Sequence, residues 1–129
     1  MGLMFPKPES RILLRARKRR EEQAALQQAY RAVNVRDGYK CRACGRQCSP
    51  QAVDMLKKAH HHHLVYRSKA KDDSTANILT LCAWCHEDEH RHRLKLEGNP
   101  DVAVTVWRLA EDGWYIARQE RAPHEVVRD

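Results

Sequence analysis

The sequence is poor in what builds a large apolar core. Eight of its 129 residues are aromatic, with one Phe, and 42% are hydrophobic against 32% charged. A domain this short with so little apolar surface to bury needs a second stabiliser. No apolar run approaches the ~20 residues of a bilayer-spanning helix, so a membrane span is excluded. Met1 to Pro6 is briefly apolar and lacks both a basic lead and a long apolar stretch, which reads as no secretory signal and a cytoplasmic location. Pro6 stands where a myristoylation signal needs Ser or Thr. Acidic residues are also scarce, 17 against 24 Lys and Arg, for a net charge of +7. The excess is uneven: +6 falls in residues 1 to 40, +3 in 41 to 100 and −2 in the remainder. That asymmetry points to a polyanion approached mainly by the N-terminal third.

Against these scarcities stand five Cys and eight His. An odd number of Cys in a chain read as cytoplasmic favours metal ligation over disulfides. Gly and Pro are missing between Pro8 and Gly38, so Ser10 is expected to cap a helix running into the mid-thirties. Ala25, Leu26, Ala29, Tyr30 and Val33 give its second half an apolar stripe. The first half carries Arg11, Arg15, Arg17, Lys18, Arg19 and Arg20 around the axis, either a solvated helix end or a phosphate-contacting arm.

Asp37-Gly38 ends the helix and leads into a two-Cys turn. Ser49-Pro50 predicts a short helix over Gln51 to Ala59, followed by a strand from His61 to Tyr66 and a polar loop from Arg67 to Ala76. After the apolar run Ile78 to Leu81, Ala83 to Leu94 reads as a helix. Val102 to Arg108 and Trp114 to Arg118 flank an Asp112-Gly113 turn, a hairpin pattern, and the chain from about Arg121 is expected to be loosely held.

Two constellations carry chemistry. Cys41, Cys44, Cys82 and Cys85 form two C-x2-C pairs, and each pair supplies two thiolates from one tight turn, the spacing of a structural Zn2+ site. Lys40, Arg42 and Arg46 are expected to offset the thiolate charge, and Cys48 is left as a packed or free thiol. In the second, His86 and His90 lie one helical turn apart and can address one ion. With a third ligand they would make an open, catalytic type of site. Neighbouring strand residues face opposite ways, so His62 and His63 cannot both be simple ligands of the same ion.

In this order, the residues from Arg36 to Gly45, His62 to Ser68, Asn77 to His86 and His90 resemble the HNH (ββα-metal) endonuclease family, in a variant with two C-x2-C pairs. The three letters fall on His63, Asn77 and His86. The resemblance covers about half of the chain and implies an α+β fold: a small zinc-stabilised ββα-metal (His-Me finger) domain with a long basic N-terminal helix and a C-terminal β-hairpin. It divides the chain into a basic helical arm (1–37), a nuclease domain (38–98) and a hairpin with tail (99–129). It implies DNA cleavage to 5′-phosphate and 3′-hydroxyl ends, with His63 as general base, Asn77 holding the loop, and His62, His86 and His90 holding one divalent ion, Mg2+ or Mn2+ or another transition ion. Family members often have a Gly-rich turn after the Arg-Ser pair; Lys69-Ala70-Lys71-Asp72-Asp73 stands there instead, and its two Lys can approach phosphate.

The chemistry has its own logic. A water must lose a proton near neutral pH, where His titrates, and the charge growing on phosphate needs a cation. Arg67 is a candidate second clamp on phosphate, and the other reading of Asn77 is a turn residue. Two further readings compete. His86-Glu87-Asp88-Glu89-His90 satisfies the H-E-x-x-H pattern of zinc proteases, and a zinc module that binds DNA without cutting needs neither His63 nor a second ion. Phage, restriction and repair settings, with their protein partners, are all left open, as is the oligomeric state.

Overall fold

The computed structural model describes residues 7, 8 and 10–127. The signal and myristoylation readings rest on Met1 to Pro6, which lie outside the described residues. Among the described residues, no helix is long and apolar enough to cross a membrane.

Helix α1 (Arg11–Arg36) opens the fold. Ser10 caps it as expected, its hydroxyl accepting the Leu13 N–H at 3.2 Å. At 1.5 Å per residue the helix is ~39 Å long. Its C-terminal half packs on the body, where Leu26 and Val33 are buried with Ile78, beside Ala29 and Tyr30. Ala25, expected in that stripe, faces solvent. Gly38 and Tyr39 both take left-handed backbone angles, φ 63° and 57°, and turn the chain away.

Strands β1 (His60–His63) and β2 (Ile78–Leu81) pair antiparallel, with His60 opposite Leu81 and His63 opposite Ile78. Helix α2 (Ala83–His90) follows at once, capped by the Cys82 sulfur, which accepts the Cys85 N–H. A second antiparallel sheet contains β3 (Leu94–Asn99), β4 (Ala103–Ala110) and β5 (Gly113–Arg121) in that order. One core joins the two sheets: Leu79 and Leu81 of β2 meet Leu94, Val104 and Val106, with Cys41, Cys82 and Cys85 among them. The fold is therefore α+β, with the ββα unit built from β1, β2 and α2.

Several local expectations change. Residues 51–59 form a closed loop, not a helix: the Ser49 N–H donates to Lys57 O and the Ala59 N–H to Ser49 O, while Ser49 Oγ and Asp54 Oδ1 accept the Gln51 and Leu56 amides. Ser and Asp offer the backbone a turn in place of helical bonds. The strand over His61 to Tyr66 begins one residue earlier and stops at His63, because Asn77 takes over the bonds of Val65. Helix α2 ends at His90 instead of Leu94. His92 has φ 59°, and Leu94 and Leu96 then turn inward on alternate positions of β3, which pairs with β4. The expected hairpin is thus part of a three-stranded sheet, and the line drawn between residues 98 and 99 falls inside β3. Gly98 is required there, since a Cβ would stand 2.5 Å from Ala103 O. The chain after Arg121 is held more firmly than expected, the Ala122 and His124 amides donating to Val102 O and Arg36 O.

A buried charge cluster ties these parts together. Asp37 is fully buried and accepts hydrogen bonds from Arg36 Nε (2.8 Å) and Nη2 (3.1 Å), Arg42 Nη1 (2.7 Å) and the Thr80 amide (2.9 Å). Arg36 also reaches Thr75 O, Ile78 O and Asp101, and Arg42 reaches Pro100 O. Helix α1, the two-Cys turn and β2 are thus joined through one carboxylate, and its two guanidinium partners add the β3–β4 turn.

Candidate metal centre and nuclease face

The four sulfurs of Cys41, Cys44, Cys82 and Cys85 lie within 4.8 Å of one another, and those of Cys44 and Cys82 are 3.7 Å apart. Sulfurs at ~2.3 Å from a central zinc form a tetrahedron with ~3.8 Å edges, so the cluster has the size of a Zn2+ site. Its thiols titrate unequally. A hydrogen bond from the Cys85 thiol brings Cys41 down to about 5, and the same bond pushes Cys85 up. Two of the three expected counter-charges lie elsewhere. Arg42 points into the Asp37 cluster and Arg46 lies over the Trp84 ring at 4.1 Å, whereas Arg108 of β4 donates to Cys85 Sγ at 3.4 Å. Cys48 is buried outside the group, and burial pushes its thiol up to about 12, which keeps it neutral.

The four-His strand is split by the period of two. His61 and His63 face α1: His61 stacks on Tyr30 with ring centroids 4.2 Å apart and donates from Nε2 to Asn34 Oδ1 at 2.6 Å. His60 and His62 face α2, where the His60 ring stacks on His86 and the His62 ring stands 6.3 Å from it. His86 and His90 bring their Nε2 atoms to 3.2 Å. That separation lies between the ~3.0 Å of neighbouring ligands on an octahedral ion and the ~3.4 Å of a tetrahedral one, so the pair fits either geometry. His62 stands beside them, its Nδ1 3.7 Å from Glu89 Oε2 and beyond hydrogen-bond reach. Among the described residues, the only group of three or more potential ligands gathered within 4.8 Å is the Cys cluster. Burial brings His86 down to about 4, with the neighbouring His60, His90 and His62 adding to the effect, and burial lowers His62 as well. Both rings are therefore neutral near pH 7, the state that ligates.

On the other face, His63 Nε2 is 2.9 Å from Asp73 Oδ1. A carboxylate only accepts, so the neutral ring carries its proton on Nε2 and its lone pair on Nδ1. Arg67 closes on the same carboxylate, Nε to Oδ1 at 3.0 Å and Nη2 to Oδ2 at 3.2 Å. Asn77 is buried and uses its whole amide: Oδ1 accepts the Val65 N–H, and Nδ2 donates to Val65 O and Asp72 O. It thereby fixes both ends of the loop that delivers Asp73 to His63.

Residues 41–92 match the HNH endonuclease family. This segment is an HNH domain. The chain is also similar to anaredoxin from a Nostoc species, 29% identical over 69 residues that span 54% of this chain and 80% of that protein. No solved structure matches.

Helix α1 and strands β3, β4 and β5 lie outside the matched HNH segment. Arg11, Arg15, Arg17, Lys18, Arg19 and Arg20 are exposed on the first turns of α1, and Lys69 is exposed in the loop. Lys71, read as a phosphate contact, donates to Glu22 of α1 at 2.7 Å and joins the loop to the arm. The protease pattern loses its base: Glu87 turns outward to Arg91, and the carboxylate facing the His group is Glu89, which accepts the Tyr66 hydroxyl. Asp73, Glu89, His60 and Arg108 were not singled out from the sequence. Only His60 had a signal there, its period-two relation to His62.

Proposed function

We propose that this chain is a DNA endonuclease that hydrolyses phosphodiester bonds, leaving 5′-phosphate and 3′-hydroxyl ends. The observation that carries the reading is the division of one His run between two faces, which separates a base from a ligand set. His63, with its Nε2 proton directed at Asp73, keeps the Nδ1 lone pair to take the proton of an attacking water. His62, His86 and His90 hold one Mg2+ or Mn2+, which when bound stabilises the charge that develops on phosphate. The neutral His62 and His86 rings suit ligation, and their placement off the His63 face keeps the base from being drawn onto the ion. Asn77 positions the loop. Arg67 turns from Asp73 toward the phosphate when DNA arrives. The six basic residues at the start of α1, with Lys69, contact the DNA backbone and set the salt dependence of binding.

The test is cleavage of supercoiled plasmid by the full chain with Mg2+ or Mn2+, followed by mapping of the ends. EDTA and His63→Ala should each abolish cutting, with zinc content and circular dichroism unchanged in the variant. Cutting by His63→Ala at the parent rate would refute the base assignment. DNA binding without cutting under any divalent ion would identify a non-catalytic zinc module instead.

A further inference from the structure

Beside the Cys cluster lies a cavity of about 680 Å³, lined chiefly by Tyr39, Arg46, Cys48, Leu56, Lys57 and Trp84. It belongs neither to the Cys site nor to the His face. Trp84 and His86 are two residues apart on α2 and so project from opposite sides of the helix. The cavity's large side chains are displayed rather than packed: Trp84 is 44% exposed, Tyr39 45% and Leu56 53%. Tyr39 is presented by a left-handed backbone at φ 57°, a conformation costly for a bulky residue. The Tyr39 amide donates to Asn34 O and its carbonyl accepts the Cys48 amide, so the surrounding backbone holds that conformation.

The lining contains two cationic side chains and no acidic one. One of the cations already acts as a planar stacking partner, the Arg46 guanidinium lying 4.1 Å over the Trp84 ring. Two exposed aromatic rings, an aliphatic wall and a positive rim are what a flat, uncharged heterocycle carried on a phosphate backbone requires. An apolar peptide would use the rings but gain nothing from the charges. We propose that this cavity receives one unpaired base of the DNA, which takes the place of Arg46 on Trp84 and frees the guanidinium for the adjoining phosphate. The inference rests on DNA being the ligand, and it assigns the protein a preference for DNA with an unstacked base.

The experiment uses the full-length, zinc-loaded protein without added Mg2+ or Mn2+, and fluorescence anisotropy of three duplexes. One is fully paired, one carries a single bulged thymine, and one has an abasic residue at the bulge. Stacking on aromatic side chains predicts that the bulged thymine binds about tenfold tighter than the abasic control. Trp84→Ala and Tyr39→Ala should each bring that ratio near one while binding of the paired duplex is unchanged, and Trp84→Phe should retain most of it. Zinc content and circular dichroism check the fold of each variant, and Tyr39→Ala and Trp84→Phe decide the matter if Trp84→Ala loses zinc. A ratio of one in the parent, or an undiminished ratio in the alanine variants, would overturn the proposal. So would a dimer that Trp84→Ala dissolves, which would put a second copy of the chain in the cavity. Binding of none of the three duplexes would overturn the DNA reading itself, whereas binding of all three equally would overturn only the base pocket.

Discussion

Replacing Asp37 by Asn tests whether one carboxylate couples the basic arm to the HNH core. The side chain is fully buried and accepts four hydrogen bonds, two from Arg36, one from Arg42 and one from the Thr80 amide. Asn has nearly the same shape but only one acceptor oxygen. Whichever way the amide turns, its NH2 group faces two N–H donors, and the guanidinium groups of Arg36 and Arg42, 0% and 1% exposed, lose their shared counter-charge. Breaking a buried ion pair from one side costs ~3–5 kcal/mol. That is a large part of the ~5–15 kcal/mol that typically holds a domain together. With a urea slope of ~1.5 kcal/mol/M, the midpoint of the zinc-loaded protein should fall by ~2–3 M. Asp101→Asn is the control, because Asp101 is partly exposed and meets only one nitrogen of Arg36. Its cost should be ~1–2 kcal/mol. Urea titration followed by circular dichroism measures both, and a loss below about 1 kcal/mol for Asp37→Asn would refute the idea that this cluster fastens α1 to β2.

Three further outcomes follow from the geometry. Asp73→Asn removes the carboxylate that fixes the His63 tautomer and should slow plasmid cleavage by about tenfold or more, with zinc content unchanged; an unaltered rate would show that the contact does not orient the base. Arg108→Leu takes away the cation that donates to Cys85 Sγ, and competition with a chromogenic chelator should report zinc affinity lower by about tenfold. His61, held down to about 4 chiefly by burial, gives a definite sign for acid stability. The unfolded chain binds this proton near pH 6.5 and the folded chain does not, so stability is full above about 6.5 and is lost toward pH 4. Between pH 7 and 5 the parent should lose ~1–2 kcal/mol more than His61→Gln, measured by urea unfolding at each pH, and parallel curves would contradict the burial argument.

The sequence displayed the candidate metal ligands because their spacing is local. C-x2-C closes within a single turn, and His86 with His90 within one turn of helix, whatever surrounds them. The Ser10 cap and the apolar stripe ending at Val33 are equally local. Strand β3 was hidden because Leu94 and Leu96 can continue a helix as readily as they can alternate in a strand, and the choice is made by β4, which lies beyond the β3–β4 turn. Asp73, Arg108 and Glu89 escaped notice for a related reason: each looks like an ordinary solvated charge until a distant segment packs against it.

By itself, then, the sequence determined which residues can ligate, which can act as a base and where positive charge accumulates, since these are properties of side-chain chemistry and short-range periodicity. Tertiary structure decided which charges are neighbours. It drew Arg42 away from the thiolates and brought in Arg108, gave His63 its carboxylate, and left Tyr39 and Trp84 displayed around a cavity. Those outcomes depend on burial and on contacts between segments far apart in the chain, where the cost of an unpaired buried charge selects one partner from many.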